Sequence, residues 1–290
     1  MDNIFEIIQE KMKESLINFI IRCIDGMYDG LNTKVSEIGG EVAKTPKLWN
    51  SEVFNMIKGM SESVIVPIAG SILTIILIYE LIYIINEHNN MRDFDSFIIF
   101  KWIIKSIIGI YLVTNVFDII NGIYDVSYFV VQKSTKYLNT QTSGFELYDT
   151  LENIRISIEE YDINQVVLLS IQILLSYFII NIMAIVVDII LVSRMIEIYI
   201  YMSIAPIPFA TFMNKETKSI GENYLKGIIA LGLQGFFIMI CVAIYTGLVN
   251  AMQIADGINT WLAKVLLYSI VLIFTMLKTS AISKSIFNAH

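Results

Sequence analysis

The chain has two histidines, His88 in a polar stretch and His290 at its last position. A Ser-His dyad within a membrane, or an HExxH zinc site on a helix, needs an imidazole at a depth or spacing that neither supplies. Asp118, Asp125 and Asp188 are the acids from which an aspartyl-type carboxylate pair would be drawn, but no GxGD string accompanies them. The phosphate-cradling GxxxxGK(S/T) loop is missing as well, so any nucleotide hydrolysis must come from another protein. Cys23 and Cys241 stand too far apart for a metal knuckle and lie on segments of unlike polarity, which argues against a metal site or a disulfide framework. These residue types predict a chain that is not an enzyme and takes no cofactor or metal.

What remains is a set of charges and prolines set into apolar runs. Glu80 is the one charge in a long apolar segment, and Lys101 and Lys105 lie four apart on one face of the next. An acid facing two bases at membrane depth is most simply a structural pair, with an ion or gating role as the alternative. Asp188, Arg194 and Glu197 gather at the end of a third apolar run. Arg194 and Glu197, three apart, are placed to pair with each other. Immediately afterwards Pro206 and Pro208 interrupt IEIYIYMSIAPIPFATFM, where they remove backbone donors and leave carbonyls expected to face water or substrate.

The elements that must carry these residues are membrane helices. With 56% hydrophobic and 16% charged residues, the chain falls well below the roughly 25% charge of soluble proteins, and crossing a bilayer takes about 20 apolar residues in a row. The fold class predicted is all-α and polytopic, with about five spans near 64–85, 97–117, 166–192, 227–252 and 260–282. Residues 1–62 read as an external region whose first part is an amphipathic helix. Its apolar positions are Ile4, Ile8, Met12, Leu16, Ile20, Ile24 and Met27, and Gly39-Gly40, Pro46 and Trp49 mark a following loop. Residues 133–165 read as an acidic external loop with a short helix, and 63–290 as the transmembrane domain.

Basic residues in short loops set the orientation. Lys215, Lys218 and Lys226 place the 214–226 connection in the cytoplasm, whereas 253–261 has no Lys or Arg. Arg92 with Lys101 and Lys105 puts 86–96 inside, and Lys278 and Lys284 put the C-terminus there too. The N-terminus and 133–165 are then outside.

Several strings resemble one family: SESVIVPIAG from Ser61, SRMIEIYIYMSIAPIPFATF from Ser193, IGENYLKGIIALGLQGFFIMICVAIY from Ile220 and the terminal LKTSAISKSIFNAH. The chain is similar along nearly its whole length to the TrbL-like conjugal-transfer membrane proteins of Gram-positive integrative and conjugative elements. The resemblance implies an inner-membrane channel subunit of a type IV secretion system, which helps single-stranded DNA with its bound relaxase across the lipid bilayer. It further implies a homo-oligomer working with other secretion subunits, including membrane ATPases. A secondary transporter and a membrane scaffold that lines no passage are the competing readings. VPIAG at 66–70 and IAPIP at 204–208 echo each other too briefly to support an internal repeat.

Overall fold

A computed structural model describes residues 2–87, 96–141, 147–252 and 257–289. Among these every regular element is helical. In chain order they are α1 (Asp2–Val42), α2 (Pro46–Trp49), α3 (Ser51–Met60), a π-helical turn (Ser61–Ile65), α4 (Val66–Glu87), α5 (Ser96–Thr114) and α6 (Val116–Gln141). There follow α7 (Leu147–Glu159), α8 (Ile163–Ile204), α9 (Pro206–Ala210), a 3-10 turn (Thr211–Met213), α10 (Lys218–Asn250) and α11 (Ile258–Ile286). Among the described residues five stretches are long and apolar enough to cross a membrane: Ser51–Asn86, Phe97–Thr114, Ile163–Ile204, Lys218–Asn250 and Ile258–Ile286. The protein is an all-α, multi-pass membrane protein.

Helix lengths depart from the sequence reading where no Pro or Gly stops a helix. No proline occurs between Val166 and Pro206, so α8 does not end near 192 but runs 42 residues, about 63 Å at 1.5 Å per residue. Similarly α1 passes through Gly39-Gly40 to Val42, so those glycines mark no loop. A Cβ on Gly39 would come within 2.9 Å of Thr135 Cγ2, so the absent side chain lets α6 approach. The predicted loop at 133–165 is largely helical, because Lys133–Gln141 continue α6 and α7 fills Leu147–Glu159. Glu146, His88, Arg92 and most of the 86–96 connection lie outside the described residues, as do 253–256 and His290.

The chain divides into two compact units. The first comprises Met1–Val42, Gln132–Leu191 and Phe237–Lys278. Its core joins Ile17, Ile20, Ile24 and Met27 of α1 to Val166, Leu169 and Ile173 of α8 and to Trp261 and Val265 of α11. Tyr28 stacks on Trp261 with ring centroids 5.9 Å apart. The amphipathic helix is thus packed on protein from Leu16 onward, whereas Ile4, Ile8 and Met12 remain exposed.

The second unit comprises Ala43–Val131, Val192–Phe236 and Thr279–His290. One core gathers Phe54, Phe117, Ile120 and Tyr124 around Met195, Ile198, Tyr199 and Met202. Another joins Ala69, Leu73 and Leu77 of α4 to Val113, Ala210 and Met213.

This packing sets the relative level of three segments within the second unit. Residues 54–61 and 116–120 share a level with 195–203, since Phe54 meets Phe117 edge-on at 5.5 Å and Ser61 Oγ donates to the Ser203 carbonyl at 2.8 Å.

Candidate functional site

The helix break at Pro206 and Pro208 organises one end of the second unit. With its preferred acceptor displaced, the Ala205 N–H turns to Met202 O at 3.4 Å, which releases the Tyr201 carbonyl. Neither Pro206 nor Pro208 can donate. The hydroxyl of Tyr224 on α10 donates to Tyr201 O, and that of Ser61, in the π turn, donates to Ser203 O. Side-chain donors thus reach two carbonyls beside the break. Each such bond contributes about 1 kcal/mol.

Aromatic rings brace the same turn. Tyr201 and Tyr224 stack at 5.8 Å, and Phe209 meets Phe212 edge-on at 5.4 Å. Tyr199 Oη donates to Pro46 O at 2.8 Å, which ties α8 to the start of α2. At Gly221 a Cβ would lie 2.8 Å from Pro208 O. Only glycine lets α10 lie so close to the break.

Arg194 and Glu197 do not pair with each other. Glu197 Oε1 accepts from Lys284 Nζ of α11 at 2.7 Å, and the same ammonium lies 5.6 Å above the Tyr201 ring. Arg194 is 6% exposed. Its Nη2 reaches Gly232 O at 3.4 Å, and its Nε has no partner among the described residues. Nearby Tyr124 Oη is likewise buried without a partner among the described residues. The arrangement is a buried cation beside a broken helix, with its expected counter-ion turned to another helix.

The second cluster pairs Glu80 with Lys105 at 2.6 Å and adds Asn214 Nδ2, which donates to Glu80 Oε2 at 3.0 Å. Lys101 is not part of it and lies 4.7 Å from the Phe97 ring centroid. In the first unit Asp188 accepts from Lys34 Nζ at 2.7 Å, and Lys34 also pairs with Glu37. Of the predicted residues, the structure brings Glu80 to Lys105 and leaves Arg194 and Glu197 with other neighbours. Ser61, Tyr224, Asn214, Lys34 and Lys284 were missed. Their partners lie between 23 and 154 residues away, a range over which helical spacing carries no signal.

A comparison with protein families matches residues 31–206 to the TrbL/VirB6 plasmid conjugal transfer like proteins. No curated protein and no solved structure matches the chain. The match covers more than half of the chain and includes Arg194, Glu197 and Pro206. The chain belongs to the TrbL/VirB6 conjugal-transfer family.

Proposed function

We propose that this TrbL/VirB6 family member is a membrane subunit of a conjugative type IV secretion apparatus and borders the route by which single-stranded DNA and its relaxase leave the cell. The family match over 31–206 carries this reading. The protein itself supplies no nucleotide-binding loop, so partner ATPases drive the transfer. Assembly as a homo-oligomer with other secretion subunits follows from the same reading. The route belongs to the cell membrane, with the C-terminus and the lysine-bearing 214–226 connection in the cytoplasm.

The buried Arg194, the Glu197–Lys284 pair and the capped break at Pro206 and Pro208 hold the cytoplasmic end of α8 rigid beside α10. The Glu80–Lys105–Asn214 cluster supports it by fastening the α4–α5 pair to the turn after α9. These are positioning roles. An acidic exterior gives transferred DNA no phosphate grip, which suits transit rather than binding.

The deciding experiment is formaldehyde crosslinking in mating donors followed by precipitation of a tagged chain. Transferred-strand DNA should be recovered, and should be lost when the transfer ATPase is removed. A chain that restores mating yet never crosslinks to DNA would be a scaffold that lines no passage.

A further inference from the structure

The helix α1 is not among the stretches apolar enough to cross a membrane, yet it lies against segments that are. Lys13 Nζ donates to Glu159 O at 2.7 Å, at the end of α7, and Lys34 Nζ pairs with Asp188 of α8. Between those lysines α1 rises about 32 Å, close to the roughly 30 Å of a hydrocarbon core. A Cβ on Gly26, between them, would touch Tyr177 of α8 at 3.4 Å. Over this interval α8 turns an apolar wall outward: Leu175, Phe178 and Ile185 are each about 60% exposed.

The outward face of α1 over this interval and the turn after it is polar. Arg22, Asp25, Asp29, Thr33 and Ser36 recur at three- and four-residue spacing, all exposed. Carboxylates at the depth of an apolar wall cannot face lipid; they need water or protein. A bundle with one apolar and one polar wall separates hydrocarbon from a wet space.

We propose that α1 crosses the membrane and that its Arg22–Asp25–Asp29–Ser36 face borders a water-filled passage, while α8 faces lipid. That the passage carries the transfer substrate rests on the function proposed above. The aqueous face does not.

The test is thiol accessibility in membranes, in a full-length chain bearing Cys23→Ser and Cys241→Ser. Single substitutions Asp25→Cys, Asp29→Cys and Ser36→Cys are compared with Leu175→Cys, Phe178→Cys and Ile185→Cys, using a hydrophilic maleimide. Labelling after denaturation in detergent confirms that each variant is present. The α1 positions should label in the native membrane and the α8 positions should not. Labelling at both sets would put the bundle in water, and labelling at neither would bury the α1 face; either result overturns the proposal. Mating by the Asp29→Cys strain, before and after full modification with a bulky reagent, separates the two claims. A fall in transfer supports the passage role, whereas unchanged transfer with the labelling pattern intact rejects that role and leaves the aqueous face standing.

Discussion

Lys284 Nζ lies 2.7 Å from Glu197 Oε1, so the last turns of α11 neutralise a carboxylate that helical spacing assigns to Arg194. Both side chains are about one-third exposed, and the pair is worth about 1 kcal/mol. Glu197→Gln and Lys284→Met should each lower the melting temperature of the detergent-purified protein by about 3 °C. Combining Glu197→Lys with Lys284→Glu should recover most of that loss. Recovery by exchanging Arg194 and Glu197 instead would restore the local pair.

Arg194 is the buried charge left over. Replacing a buried charge that has an incomplete shell with an apolar residue is often neutral for stability. Arg194→Leu should therefore accumulate in membranes at wild-type level, as measured by quantitative immunoblotting. If the cation positions the end of α8 for transfer, mating should fall while protein level holds. Transfer that simply follows abundance would remove Arg194 from the functional account.

The break is held by donors from distant helices, and their removal should be measurable. Ser61→Ala and Tyr224→Phe each leave a carbonyl of the α8 terminus without its side-chain donor, at a cost of about 1 to 3 kcal/mol. Both should lower thermal stability. Gly221→Val should do more, because a β-branched side chain would press on the Pro208 carbonyl, and loss of monodisperse protein on size exclusion would report it.

Orientation can be read from one cysteine on a cysteine-free background. Ser219→Cys should react with an impermeant maleimide only after lysis, because Lys215, Lys218 and Lys226 hold the 214–226 connection in the cytoplasm. Reaction of Ser219→Cys in intact cells would place that connection outside.

The sequence made some of these features legible and hid others, for physical reasons. Glu80 meets Lys105 but not Lys101; the short connection between two apolar runs folds them into a hairpin and sets their level. The break at Pro206 and Pro208 was equally plain, since proline cannot continue a helix's hydrogen bonds. Which donors cap that break was not, because Ser61 and Tyr224 are 142 and 23 residues from the carbonyls they reach. The path of α1 was hidden differently. Hydropathy averages around a helix, so a helix with one face on protein and another on water scores as soluble at any depth. Only its neighbours on α8 reveal where it lies.

The central claim is that the chain serves conjugal transfer, and deletion of its gene in a donor strain measures that directly. Transfer of the mobile element to recipients should be abolished and then restored by the wild-type gene in trans, with donor growth and element excision unchanged. Normal transfer frequency from the deletion strain would contradict the account.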